Sequence, residues 1–217
     1  GTSIGGIIVD GGNFDWVKDP KRQPLMNQPD PSYSGAIWGR DVPKLTGANV
    51  AFAIRARVVL LRDLGAPLSP FNAFQIIQGL ETVAIRMKQH CANAEKVVKF
   101  LETQKKVKNI IYPTNHQGEI RERAKRYLSG GYGALVGIDL GTKEAGAKFI
   151  DSLKLLYHVA NIGDARSLAI HPATTTHSQL NDKQLAEAGV TPGYVRLSIG
   201  IEHPDDIIAD IEQALAA

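Results

Sequence analysis

Residues 194–201 constrain the fold more than any other stretch. Within "GVTPGYVRLSIGIEHPDD" (189–206), Val195, Leu197, Ile199 and Ile201 alternate with Tyr194, Arg196, Ser198, Gly200 and Glu202. A period of two is that of a half-buried strand, with successive side chains on opposite faces. One face is aliphatic; the other places a guanidinium among small and hydroxylated neighbours. Other short strand candidates (107–112, 132–140, 167–171) alternate with helical patterns (117–128, 142–155, 181–188, 204–215). That alternation predicts a compact α/β unit from about residue 104 onward. Thr142 before Glu144, and Asn181 before Gln184, supply helix-start signals.

Upstream the texture differs. Leu80, Ala84, Met87, Cys91, Ala94, Val98 and Leu101 recur at spacings of four and three, predicting one long helix with a continuous apolar stripe. Ala51, Ile54, Val58 and Leu61 form a similar stripe within a helical pattern over 47–64. Residues 17–46, rich in proline and polar side chains, read as a long irregular excursion. The chain opens "GTSIGGIIVDGGNFDW" without methionine, with a strand-like run over 3–9, as in a part of a longer polypeptide.

Composition narrows the function classes. The 217 residues are 43% hydrophobic, enough for a core of one domain or two small ones. The net charge is +3, and the one lysine cluster (Lys96, Lys99, Lys105, Lys106, Lys108) lacks interleaved aromatics. A solvated helix end fits it better than a nucleic-acid surface. The lone Cys91 allows no intrachain disulfide and reads as a small buried hydrophobe; with no apolar run of membrane-spanning length, a cytoplasmic protein is expected. "GGYGALVG" (130–137) lacks the spacing of a nucleotide loop and reads as a glycine turn before a strand. The histidines have no metal-ligand spacing, so no metal site is expected.

The stretch "ANIGDARSLAIHPATTTHSQL" (160–180) holds a polar turn, a short strand and a hydroxyl-dense loop. Taken alone it is equally an ordinary turn with backbone bonds from its own side chains. Taken with Arg196, it supplies what a carboxylate pocket needs: a planar guanidinium and polar groups to orient it. A structural salt bridge is the alternative for Arg196.

Together "GTSIGGIIVDGGNFDW", "LRDLGAPLSPFNAFQIIQGLETVAIRMKQHCANAEKVVKFL", "NIGDARSLAIHPATTTHSQL" and "VRLSIGIEHPDDIIADIEQAL" resemble the pyridoxal-phosphate enzymes of cysteine and methionine metabolism. Within that family the resemblance is greatest to the O-acetylhomoserine sulfhydrylases. It implies a type I PLP-dependent transferase fold. Residues 1–80 would end the large cofactor domain, 81–103 form a connecting helix, and 104–217 form the small C-terminal α/β domain. It also implies that Arg196 binds the substrate α-carboxylate, that Asn161 lies beside it, and that Thr176 supports the arginine. Gln78 stands where many relatives have arginine, while Gly79, Leu80 and Thr82 are kept. The cofactor, pyridoxal 5'-phosphate, would bind a lysine that the family places just before Gly1, so no catalytic residue is expected in this chain. The implied partners are O-acetyl-L-homoserine, sulfide, the N-terminal half of the same enzyme and further copies in a homotetramer, with neither nucleic acid nor membrane. The alternatives are a methionine γ-lyase or O-succinylhomoserine sulfhydrylase type of enzyme, or a non-catalytic assembly fragment.

Overall fold

The computed structural model describes residues 2–217, the side chain of Asp182 excepted. The chain divides into two units, residues 1–79 and 80–217, each taken by itself below.

The first unit is helical where the sequence suggested an irregular excursion. Helix α1 spans Pro24–Asn27, a 3-10 turn spans Pro31–Tyr33, and α2 spans Trp38–Thr46. Pro24 and Pro31 sit in the first turns, where a fixed φ favours the helix and the missing N–H costs nothing. Asp30 ties the segment together: its carboxylate accepts from Ser32 N at 3.0 Å and from Trp38 Nε1 at 3.0 Å. Helix α3 (Ala51–Arg55) runs on into a π-helical stretch, Ala56–Asp63. The wider winding rotates the expected stripe out of phase. Val58 and Val59 pack against the small core of Met26, Trp38, Val42 and Ala51, but Leu61 is left 38% exposed. Helix α4 covers Pro70–Glu81. The run 3–9, expected as a strand, pairs with no other strand among the described residues, and Ile4, Ile7, Ile8 and Val9 are exposed.

The second unit contains helix α5 (Val83–Leu101), β1 (Asn109–Ile111), α6 (Gly118–Tyr127), β2 (Leu135–Asp139), α7 (Lys143–Ser152) and β3 (Tyr157–His158). It continues with β4 (Leu168–Ile170), α8 (Asp182–Glu187), β5 (Tyr194–Ser198) and α9 (Pro204–Ala216). The sheet order is β1-β2-β5-β4-β3, with only β3 and β4 parallel. Val195 and Leu197 are sealed in a core with Val136, Ile138, Ala169 and residues of α5, α7 and α9.

The long stripe is real only in part. Thr82 interrupts the helix between α4 and α5, Leu80 and Met87 remain exposed, and burial sets in at His90. From there Cys91, Ala94, Val97, Val98 and Leu101 face the core. Thr142 caps α7 by accepting from Ala145 N, and Asn181 with Gln184 forms a capping box on α8. Gly130, Gly131 and Gly133, all at positive φ, turn the chain into β2. Strand β3 was not legible; Asp210 of α9 sets the chain leading into it, accepting from the N–H groups of Lys154, Leu155 and Leu156 at 2.8–3.0 Å.

Candidate functional site

Strand β5 lies in the middle of the sheet, so its outward residues are flanked on both sides. Arg196 stands opposite Gly137 of β2 and Ile170 of β4. A side chain at 137 would meet the Tyr194 ring, whose Cε2 lies 2.7 Å from the position of such a Cβ. Glycine there leaves room for the Tyr194 ring over β2. Burial raises the Tyr194 pKa against the opposing charge of Arg196, so the phenol is neutral.

Arg196 itself is half-buried, and its Nη2 donates to the backbone carbonyl of Asn161 at 3.2 Å. Among the described residues no carboxylate forms an ion pair with it, so the salt-bridge alternative finds no partner here. The Asn161 side chain does not make this contact; its Oδ1 accepts from Ile162 N at 2.9 Å. The turn is attached to β5 a second time, where Gly163 N donates to Ser198 Oγ at 3.2 Å. The alternation in the sequence puts Ser198 on the face of Arg196, but nothing in it marks Ser198 as a site residue.

Thr176 makes no hydrogen bond to Arg196 among the described residues. It is exposed, and its hydroxyl is within 2.9 Å of His177 Nδ1. The neighbouring hydroxyls are also used locally: Thr175 Oγ1 donates to His171 O at 2.8 Å, and Thr174 Oγ1 lies 2.9 Å from His171 Nδ1. His171 is buried, and its Nε2 donates to Pro192 O at 2.7 Å. Its ring presses on Gly146, where a Cβ would come within 2.5 Å of Nε2. Burial lowers its pKa, with Lys143 and His158 adding to the effect against the Pro192 bond. This histidine is a neutral brace for the loop.

Past Ser198 the regular ladder gives way to mixed bonding: Ile199 N donates to Ala134 O and Ile201 N to Ala165 O, while other backbone groups go to side chains. His90 Nδ1 donates to Ile199 O at 2.6 Å, and Asn93 Nδ2 donates to Gly200 O and Glu202 O at 3.0 and 2.8 Å. Gly200 N donates to Ser167 Oγ, while Glu202 accepts from Ser167 N and Ser167 Oγ. The expected strand 194–201 therefore ends at Ser198 and becomes a polar knot.

The arrangement leaves a guanidinium with one N–H group directed at a neutral carbonyl and, among the described residues, no carboxylate paired with it. Such a group is suited to both oxygens of an incoming carboxylate. Among the described residues no cluster of histidine, cysteine or acidic side chains could hold a metal ion, and no helix is long and apolar enough to cross a membrane.

The model of the Cys/Met metabolism PLP-dependent enzyme family matches residues 1–216. The chain is 49% identical to O-acetyl-L-homoserine sulfhydrylase of Leptospira meyeri over 99% of its own length and 49% of the relative's. It is 43% identical to O-acetyl-L-homoserine sulfhydrylase 1 of Thermus thermophilus over 100% of its length and 50% of the relative's. Homocysteine synthase of Schizosaccharomyces pombe is 44% identical over 99% of this chain and 49% of its own. The chain thus spans about half the length of the curated relatives it matches. A crystal structure described as an O-acetylhomoserine (thiol)-lyase from Campylobacter jejuni, carrying a pyridoxyl-lysine monophosphate, is 40% identical. It superposes with a TM-score of 0.82 over 93% of this chain and 47% of that one. The α/β fold therefore matches part of a PLP-dependent enzyme.

Proposed function

The chain belongs to the Cys/Met metabolism PLP-dependent enzyme family, and from that premise we propose that it supplies the C-terminal half of an O-acetylhomoserine sulfhydrylase. In this reading residues 1–80 end the large domain of a type I fold, 81–103 connect, and 104–217 form the small domain. The reaction is replacement of the acetate of O-acetyl-L-homoserine by sulfide, giving homocysteine. The observation that carries the reading is Arg196: a half-buried guanidinium on a central strand, oriented by a carbonyl and free of carboxylate partners among the described residues.

The donor chemistry here fits the α-carboxylate of an amino acid. Pyridoxal 5'-phosphate, when bound, would supply the electron sink for the electron pairs left behind when protons leave Cα and Cβ of such a substrate. Its lysine and phosphate contacts are assigned by the family resemblance to residues outside this chain. What the chain itself contributes is positioning. Arg196 grips the carboxylate, and the Asn161 carbonyl holds the guanidinium plane, so fewer side-chain rotamers are frozen on binding. The neutral Tyr194 phenol adds no competing charge.

The test uses a polypeptide of the relatives' full length carrying this sequence. Arg196→Ala should keep the cofactor bound yet lower kcat/KM for O-acetyl-L-homoserine by roughly 2–5 kcal/mol, that is about thirty-fold to several thousand-fold. Arg196→Lys should recover part of this, since an ammonium lacks the planar fork. An unchanged kcat/KM in the alanine variant would remove Arg196 from the site.

A further inference from the structure

We infer that Ser198 is a positioning residue for carboxylate recognition, acting through the Gly163 amide on the carbonyl that orients Arg196. The inference rests on the reading of Arg196 as the carboxylate ligand. Arg196 and Ser198 are two residues apart on β5, so both side chains leave the same face of the sheet, roughly 7 Å apart along the strand. Each takes hold of the turn 161–163: Arg196 Nη2 donates to Asn161 O, and Ser198 Oγ accepts from Gly163 N. The three turn residues are exposed, whereas Ser198 is buried at 2% exposure. The fixed member of the pair is therefore the serine, and the turn is what it fixes.

The surroundings make Ser198 a firm anchor. It pairs with Leu135 of β2 on one side and with Leu168 of β4 on the other. Immediately beyond it, Gly200 is packed so closely that a Cβ would lie 2.3 Å from Glu202 Oε2 and 2.5 Å from Ala165 O. The ends of the turn segment are held in the sheet region, with Val159 N donating to Ala169 O and Ile201 N donating to Ala165 O. Gly163, at φ +75°, adopts the left-handed conformation that aims its N–H back at the strand. Removing the serine oxygen takes this acceptor from the amide and frees the Asn161 carbonyl to drift. The guanidinium then loses its preset orientation without losing its charge.

The experiment is a binding titration of the full-length holoenzyme, followed by the absorbance of the bound cofactor. The two probes are L-norvaline, which has a carboxylate, and n-butylamine, its decarboxylated counterpart. Ser198→Ala should weaken norvaline by roughly 3- to 10-fold, about one hydrogen bond's worth, and leave butylamine unchanged. Ser198→Cys keeps the shape with a poorer acceptor and should show a smaller, equally selective loss, so it decides the matter if the alanine variant does not fold. Wild-type norvaline affinity in the folded variants, or equal loss for both probes, overturns the role of Ser198. Arg196→Ala run alongside separates the two ideas: if it too leaves norvaline untouched, the carboxylate reading has failed. If only Arg196→Ala weakens norvaline, the failure belongs to Ser198 alone.

Discussion

In the unit of residues 80–217, Val195, Leu197, Ile207 and Ile211 are sealed from solvent; in the unit before it, Ile4, Ile7, Ile8 and Val9 lie open. Both sets are aliphatic and both carry strand-like or helical patterns. The difference is in what each pattern requires. A helix satisfies its own backbone, so α1, α2 and α3 form around a small core within the first unit. A strand is made by its neighbours. Residues 194–198 have β2 and β4 to pair with, whereas the run 3–9 has no partner strand among the described residues and gains nothing from its β-branched side chains.

The largest test of that contrast is truncation. Starting the chain at residue 104 removes Val97, Val98 and Leu101 from the core of the second unit. At roughly 1.5–3 kcal/mol each, the loss is about 5–9 kcal/mol, comparable to the whole stability of a typical domain. Residues 80–217 should melt cooperatively by circular dichroism and 104–217 should not; a sharp transition in the shorter fragment would break the comparison. Next in size, Ile211→Ala should cost about 2–5 kcal/mol in urea unfolding, while Ile7→Ala stays within about 0.5 kcal/mol. Equal costs would mean that the two regions are not differently buried.

Cys91 follows His90, the residue of α5 at which exposure gives way to burial, and lies between Met87 and Ala94. Cys91→Ala should cost on the order of 1 kcal/mol through a small cavity. Its thiol, packed against Gly131, should resist labelling under native conditions, and fast labelling would shift the boundary of the core. The smallest effect expected is on the acid limb of stability. His171 has a folded pKa below its ordinary 6.5, so the unfolded chain binds the proton more readily. Its contribution is complete above about pH 6.5 and is lost as pH falls through the lowered value. In the first unit, Arg40 first and then the Ile37 amide hold Asp41 at about 2, below its ordinary 3.8. That contribution persists above 3.8 and is lost only as pH falls toward 2. The melting temperature of 80–217 should therefore decline between pH 7.5 and 5.5, and less so in His171→Gln; identical declines would sink the assignment.

What the sequence shows depends on how many residues a pattern has in which to repeat. β2, β5, α6, α7 and α9 are long enough to display their periods, and each was legible. β3 is two residues long and has no period to show. Helices α1 and α2 were hidden because Pro24, Pro31 and Pro43 suggest breaks, although the first two sit in opening turns. The π-helical stretch obeys a repeat that a 3.6-residue stripe does not describe. At the site, Arg196 was legible as a charge on the polar face of a strand. Asn161 was singled out by its side chain, yet its backbone carbonyl meets the arginine. A contact of that kind leaves no mark on residue identity. Thr176 rests on the family resemblance alone, and its hydroxyl meets His177 Nδ1.

One feature of the sheet bears on how the molecule comes into being. β5 is the last of the five strands in sequence but the middle one in space, and β2 and β4 share no hydrogen bonds with each other. Without β5 the sheet is two separate ribbons, β1 with β2 and β3 with β4, and the β2 and β4 edges that β5 will cover are open. Only when residues 194–198 slot between them do the ribbons become one sheet, closing contacts between residues far apart in sequence, a slow class of folding event. Arg196 and Ser198 ride on that final strand. On the proposed reading of Arg196 as the carboxylate ligand, that site is assembled only when β5 takes its place between β2 and β4.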